Sequence, residues 1–359
     1  MKRLFRKSAA VGIAVAVAGV AVAVAATGAT AKTSQGNIQV CVLLPDTKSS
    51  VRWEQFDKPA FANAFKKAGL TASIVNALND PQKQLSQAEQ CIGAGAKVGV
   101  ITSLDTGTSI AIQKKFTAAG GKTIDYDRQI VGGTGSVYVS FDGNLVGRQQ
   151  ALGVIAGMKA KGTYNKSGTL AQLWGGPTDA NAFWFKSGND DILNPAFKKG
   201  TVKKGPAKFV PEWDAKNAQT IFEQMLVQTS NSIQGVVGAN DNIAGAVVAT
   251  LKAKGLKPIA LSGQDATVQG VQNIISGWQT MTVYKYVPSE ANAAAAAAVA
   301  LFKGKKPPSN TTRLNGKKKQ PTFVIPVVSI TKANYTRLFK DGFLKRSEVC
   351  SGQFKKFCK

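Results

Sequence analysis

The sequence predicts an α/β fold with parallel sheets, divided into two structural units. Three observations carry this expectation. Short apolar runs alternate with helix-length segments along most of the chain. The 359 residues, 44% hydrophobic and 18% charged, can bury two sizeable cores and are too apolar for a disordered chain. The apolar runs are numerous enough that two smaller sheets fit the usual domain size better than one large sheet.

The runs fall at 40–45, 98–104, 123–126, 137–141, 169–174, 235–237, 259–262 and 281–284 and read as strands. Between them, 60–68 and 84–92 place apolar residues three and four apart, as a helix requires. Segment 217–228 does the same through Ile221, Met225 and Val227. Segment 242–254 stops at Gly255, which suits a helix C-cap, and Ser289 can N-cap an alanine-rich helix that Gly304 ends. Crossings between the units are expected at 141–143, at 285–288 and within the Pro/Gly/Lys-rich stretch 304–321. The expected division is 36–141 plus 286–305 for the first lobe, 142–285 plus 320–344 for the second, and 345–359 as a basic, cysteine-containing tail.

Residues 1–7 carry four basic side chains and no acidic one, and 8–26 is an uncharged Ala/Val/Gly run. Ala29-Thr30-Ala31 then fits a small-x-small cleavage site, so 1–31 reads as a signal peptide for export to the periplasm or the cell-envelope exterior. The run is also long enough for a retained anchor, but its alanine-rich composition is only weakly apolar. An oxidising compartment gives meaning to Cys41, Cys91, Cys350 and Cys358. Cys350 and Cys358 are close enough in sequence to close a small loop, which leaves Cys41 to pair with Cys91. Buried free thiols are the alternative for that second pair.

The chain has no histidine, which removes Ser-His-Asp triads, Cys-His dyads, His-ligated zinc and His general bases together. The 46 Lys+Arg against 20 Asp+Glu give a formal charge of +26, which by itself invites a nucleic-acid or anionic-surface partner. Residues 303–359 hold 15 of the basic and two of the acidic residues, with Lys317-Lys318-Lys319 the densest run. Such runs usually form solvated loops, so the charge says little about a ligand. The Gly-rich stretch 93–99 lies between a helix and a strand, the reverse of the order a phosphate loop needs.

In an open α/β sheet, ligands bind beyond the carboxyl ends of the strands. The residues there are Arg52 and Trp53, Asp127 and Arg128, Asn181, Trp213, Asn240, Asp265 and Lys285. Carboxylates, amides and guanidiniums exchange paired hydrogen bonds with adjacent hydroxyls, and indole faces match the C–H faces of a pyranose. Taken singly, Asn240 and Asp265 could be helix N-caps, Asp127-Arg128 a surface ion pair, and the tryptophans partial core. Their shared position after the strands favours a carbohydrate cleft.

The strings Arg52-Trp53, Tyr126-Asp127-Arg128, Ser140-Phe141-Asp142, Asn181-Ala182, Asn240-Asp241, Gly263-Gln264-Asp265-Ala266 and Gln279-Thr280-Met281-Thr282-Val283-Tyr284-Lys285 resemble the periplasmic sugar-binding proteins of pentose and hexose ABC importers, nearest to the D-xylose-binding branch. The resemblance runs from about residue 40 to about residue 343. It implies a type I solute-binding fold of two Rossmann-like lobes joined by a three-strand hinge. It also implies one monosaccharide, xylose or a related aldose, in the cleft and delivery to the membrane subunits of an ABC importer. Arg52, Asp127, Arg128, Asn181, Asn240, Asp265 and Lys285 would hold hydroxyls, and Trp53 and Trp213 would stack on the ring. No enzyme activity, cofactor, metal or nucleic acid is implied. A cleft that closes on its ligand needs no second copy, so a monomer is expected. Asp179-Ala180-Asn181 and Phe183-Trp184-Phe185 depart from the xylose-binding pattern.

Other classes fit less well. A sugar-responsive repressor would need an N-terminal helix-turn-helix where this chain has an export segment. A glycosidase would need a carboxyl pair such as Asp127 and Asp265 with one acid in an apolar setting. A cationic cell-envelope binding protein rests on the charge alone.

Overall fold

The computed structural model describes residues 37–165 and 168–358, so the expected export segment lies outside the described residues. The first half is β1 (Val40–Leu44), α1 (Lys58–Ala68), β2 (Ala72–Asn76), α2 (Pro81–Gly93), β3 (Val98–Ile101), α3 (Thr106–Ala118), β4 (Lys122–Tyr126) and β5 (Val137–Phe141). The second is α4 (Gly143–Ala160), β6 (Gly168–Trp174), α5 (Ala180–Lys198), β7 (Val202–Phe209), α6 (Ala215–Gln228), β8 (Ile233–Gly238), α7 (Asp241–Ala253), β9 (Ala260–Leu261), α8 (Val268–Ile275) and β10 (Met281–Lys285). The chain then returns through α9 (Val287–Phe302), β11 (Thr311–Asn315) and β12 (Lys318–Ile325). It ends in β13 (Val327–Thr331), α10 (Arg337–Lys340) and α11 (Arg346–Val349).

The first sheet runs β11-β12-β5-β4-β3-β1-β2 and is parallel except for β11. The second runs β7-β6-β8-β9, all parallel. The antiparallel pair β10-β13 joins it through a bridge between Gln264 and Val283. The chain crosses between the two lobes at 142, 286 and 326. The third crossing is therefore Pro326, between β12 and β13, and not within 304–321 as expected. Residues 320–325, expected in the second lobe, belong to the first sheet: 322–325 pair with β5, and 320 and 321 with β11.

Side chains at the loop ends start most of the helices. Asp80, Asp105, Asp142, Asp179, Asp214, Asn240 and Thr267 each accept from a backbone N–H of the first turn. Helix α9 differs from expectation. It begins at Val287 with Pro288 in its first turn, where no N–H is needed, so Ser289 lies inside the helix and does not cap it. Its face of Ala291, Ala294, Ala295 and Ala298 lets it pack closely on the first sheet, among Val40, Val98, Ile124 and Val139. The second core joins Val146, Phe185, Phe222, Val236, Val247 and Met281.

Cys41 and Cys91 form a disulfide between β1 and α2, and Cys350 and Cys358 close an eight-residue separation at the tail. The tail is not a loose appendage. Val349 is buried with Tyr284, Tyr335 and Phe343, and Gln272 Nε2 of α8 donates to the carbonyls of Glu348 and Val349 at 3.2 and 3.3 Å. Phe343 stacks at 4.5 Å on Phe56, which follows the Arg52-Trp53 turn.

Candidate functional site

All nine residues singled out from the sequence line one cavity. The first lobe contributes Arg52, Trp53, Asp127 and Arg128, and the elements from β6 to β10 contribute Asn181, Trp213, Asn240, Asp265 and Lys285. Ser49, Ser50, Asp179, Phe185 and Gln264 complete the wall. Three of these five were within reach of the sequence: Asp179, Phe185 and Gln264 stand in or beside the strings that carry the resemblance. Ser49 and Ser50 had no signal beyond lying in the loop after β1.

Arg52 is the organising cation. Its Nε and Nη2 clasp Asp57 at 3.0 and 2.7 Å, Nη2 also reaches Glu290 at 2.5 Å, and Nη1 donates to Asp127 at 2.7 Å. A guanidinium has five N–H donors, so four are committed and one is left for a ligand. Most of Arg52's donors are thus spent on holding Asp57, Glu290 and Asp127. Burial pushes the Asp127 carboxyl up, but Arg52, Lys285 and Arg128 outweigh it and hold the group at about 2. Burial raises Glu290 and Asp57 despite the same arginine.

Arg128 is buried, not part of a surface ion pair. Its Nε lies 2.9 Å from Asp179 across the cleft, and its Nη1 donates to the Ser103 carbonyl at 3.2 Å. Lys285 Nζ stands between Asp265 at 3.2 Å and Asp127 at 3.6 Å, above the ring of Phe141. Asn181 Nδ2 donates to the Asp127 carbonyl at 3.0 Å. Asn240 does two jobs: Oδ1 caps α7 through Ile243 N at 2.9 Å, and Nδ2 donates to the Ser49 carbonyl at 2.9 Å. Asp265 is no cap, since Thr267 caps α8.

The two tryptophans are held differently. Trp53 is packed into the first core, with the guanidinium carbons of Arg52 and Arg128 4.4 and 5.5 Å from its ring centroid. Trp213 belongs to the second core and meets Phe185 edge-on at 6.1 Å. Gly175 and Gly176 make room for it, because a Cβ on Gly175 would lie 2.0 Å from the indole. Trp213 Nε1 and Gln264 Oε1, buried at this wall, have no hydrogen-bond partner in the protein, and Arg128 Nε, though near Asp179, makes no aligned hydrogen bond. Asp265 Oδ1, though near Lys285, also makes no aligned hydrogen bond. Unpaired buried donors and acceptors are costly, which points to a polar guest.

The backbone is strained at the same place. Asp127, Glu212, Trp213, Asp265 and Ala266 all have φ between +50° and +92°, a region that non-glycine residues rarely adopt. Such strain persists where the surroundings over-determine it and clusters at ligand clamps. Asp241 beside Asp265 has a supporting role: it accepts from Gln279 Nε2 and Thr267 N, both at 2.8 Å, under the Asp265 loop. Burial lifts its carboxyl to about 7, against those hydrogen bonds.

Residues 40–306 match the model of the periplasmic binding protein domain. The chain belongs to the periplasmic binding protein family. That stretch holds β1 to β10, α9 and two of the three crossings, and the family match covers the whole lining of the cavity. This periplasmic binding protein is 34% identical to the D-xylose-binding periplasmic protein of Escherichia coli K12 over 300 residues, 83% of this chain and 88% of that one. It also resembles two solved structures. One is an ABC transporter solute-binding protein from Clostridium phytofermentans with bound β-D-glucose, at TM-score 0.80 and 26% identity over 87% of this chain and 99% of that one. The other is a carbohydrate transporter solute-binding protein from Chloroflexus aurantiacus in complex with D-glucose, at TM-score 0.78 and 29% identity over 87% and 98%. The architecture is thus the type I periplasmic binding protein fold that the strand pattern and the resemblance led us to expect.

Proposed function

We propose that the protein is an extracytoplasmic binding protein that captures one aldose, D-xylose first among them, between its lobes and presents it to an ABC importer. The observation that carries this is the composition of this cavity. Carboxylate, amide, guanidinium and ammonium groups from both lobes converge there, beside indole and phenyl rings and four polar atoms without an aligned hydrogen bond. Planar acceptors and donors discriminate adjacent hydroxyls, and aromatic rings fit the C–H faces between them. The D-xylose-binding relative supports the pentose, while the glucose-bound neighbours make a hexose the nearest competitor.

The chemistry favours holding over turnover. Three cations keep Asp127 ionised, so it accepts hydroxyl hydrogen bonds and has no proton to give a leaving group. A thermal-shift panel of D-xylose, D-glucose, L-arabinose and D-ribose tests the reading. At a hundred times its dissociation constant a ligand adds about 2.7 kcal/mol, and D-xylose is expected to give the largest shift. A panel with no shift removes the reading. Recovery of the sugar chemically unchanged is expected; a hydrolysed or isomerised product would replace binding with catalysis.

A further inference from the structure

The first lobe is electrically polar along its strands. Its acidic groups gather at the cleft end, where Asp46, Asp80, Asp105 and Asp127 follow strands and Glu290 opens α9. Lys48, Lys58 and Lys83 also lie at that end, but most of the lobe's lysines stand at the opposite one. Helix α1 finishes with Lys66 and Lys67, and α3 with Lys114 and Lys115. Strand β4 opens with Lys122 and β3 is entered from Lys97, whose carbonyl accepts from Lys122 N at 2.9 Å. Helix α9 runs out into Lys303, Lys305 and Lys306. The β11–β12 turn adds Lys317, Lys318 and Lys319, all exposed. The acid that stands among them is Glu89 near the end of α2, paired with Lys115 at 2.8 Å.

Cations at helix C-termini are ordinary, because they complement the helix dipole. That reason does not reach Lys97 and Lys122 at strand starts or Lys317–Lys319 on a hairpin. Two further features share this pole. Leu314, register partner of Lys319, is 64% exposed, and Val131 is 43% exposed. The two lie on neighbouring backbones, since Gly132 N donates to Asn315 Oδ1 at 2.5 Å. The chain also enters the fold here: Ile38 N donates to the Ala94 carbonyl at 3.2 Å just before β1.

We propose that this distal pole of the first lobe docks on a membrane surface bearing anionic lipid headgroups, with the cleft facing away from it. Clustered lysines attract such a surface, and exposed aliphatic side chains among them suit the headgroup–acyl boundary better than they suit a dissolved polyanion. The far end of the second lobe also carries lysines, Lys199, Lys203, Lys204 and Lys254 among them, and an exposed Val227 at the end of α6, but no three-lysine run on a hairpin, and so provides the comparison. The inference does not depend on which sugar the cleft holds.

Vesicle co-sedimentation tests it, using the chain from Lys32 onward, since every described strand and helix lies within one compact unit after residue 34. Vesicles with 30% phosphatidylglycerol in phosphatidylcholine should bind the protein at about 0.1 M salt, and pure phosphatidylcholine vesicles should not. Charge reversal at Lys122, Lys317, Lys318 and Lys319 to Glu should lower binding at least about tenfold. Reversal at Lys199, Lys203, Lys204 and Lys254 should leave it within about twofold. Leu314→Ser, with every lysine kept, should weaken it several-fold. Circular dichroism and the sugar-induced thermal shift show that each variant is folded. Absent binding to anionic vesicles, or an equal loss in both charge-reversal variants, overturns the proposal. Equal binding to soluble polyphosphate with no effect of Leu314→Ser would reassign the pole to a dissolved polyanion and overturn it too.

Discussion

Asp265 combines a left-handed backbone, with φ at +92°, and a buried oxygen without an aligned hydrogen bond. Both features are costly in a residue whose only task is structural. Asp265→Gly should therefore relieve strain, keeping or raising stability by up to about 1 kcal/mol, while the sugar-induced thermal shift disappears. Chemical denaturation and calorimetry together check this; a destabilised variant that still binds would make Asp265 a structural residue. Gly175 offers the complementary test. A methyl group there meets the Trp213 indole at 2.0 Å, and moving that ring should weaken binding about tenfold or more with modest loss of stability. Titration of Gly175→Ala against wild type measures it, and unchanged affinity would free Trp213 from the ligand-binding role.

At the scale of elements, two buried carboxyls tie strands and helices together. Asp125 of β4 accepts from Gln113 of α3 at 2.7 Å and Gln320 of β12 at 2.9 Å, and Asp241 opens α7 under the Asp265 loop. Burial lifts both carboxyls to about 7. A carboxyl raised in the folded state binds its proton more tightly there than in the unfolded chain, so stability falls as pH rises from about 4 to about 7. Asp127, held at about 2, acts in the other direction and costs stability as pH drops from about 4 toward 2. The melting temperature should accordingly peak near pH 4 to 5, and Asp125→Asn should flatten the decline toward pH 7 although it lowers stability overall. A melting temperature that climbs steadily to pH 7 would contradict these assignments.

The disulfides act on the same scale. Cys41–Cys91 spans 50 residues and should contribute about 4 kcal/mol by chain entropy, against about 2.5 kcal/mol for the eight-residue Cys350–Cys358 closure. Replacing the first pair by alanine should lower the melting temperature more than replacing the second, and the reverse order would argue that the tail staples the fold.

The elements that were legible in the sequence were those with a continuous apolar run, because burial on both faces of a parallel strand leaves that mark. Strand β2 was missed because Ala72–Asn76 is only half-buried, and β7 because an edge strand tolerates Lys203, Lys204 and Pro206. Strand β12 hid in a lysine-rich stretch whose partner, β5, is distant in sequence, and with it went the position of the third crossing. The site was more legible than the fold around it. Residues beyond parallel strands face one crevice whatever the loop lengths, so nine residues of the cavity lining could be named without coordinates. What could not be read was how Arg52 divides its donors, since Glu290 lies 238 residues away.

Across the whole molecule, the lobes meet over the cavity through hydrogen bonds that bypass the pocket floor. Asn242 Nδ2 donates to the Lys48 carbonyl at 2.8 Å, and Asn79 Nδ2 donates to Glu212 at 2.7 Å. The connecting residues Asp142, Tyr286 and Pro326 are the hinge about which such contacts would form or break. The tail bears on that hinge, because Phe343 touches both Phe56 of the first lobe and Tyr284 of β10. Small-angle scattering should show a smaller radius of gyration with sugar than without, and Phe343→Ala should narrow the difference. No histidine takes part anywhere in this arrangement, and the cleft's ionised Asp127 stays charged down to about pH 2.

The central claim is that one cavity holds one aldose, and isothermal titration of the chain from Lys32 onward with D-xylose tests it most directly. Saturable binding at one sugar per chain, weaker heat with D-glucose, and no heat for Asp127→Ala are expected, although that variant remains folded. A folded wild-type protein that binds none of the aldoses, or an Asp127→Ala variant that titrates like wild type, would contradict it.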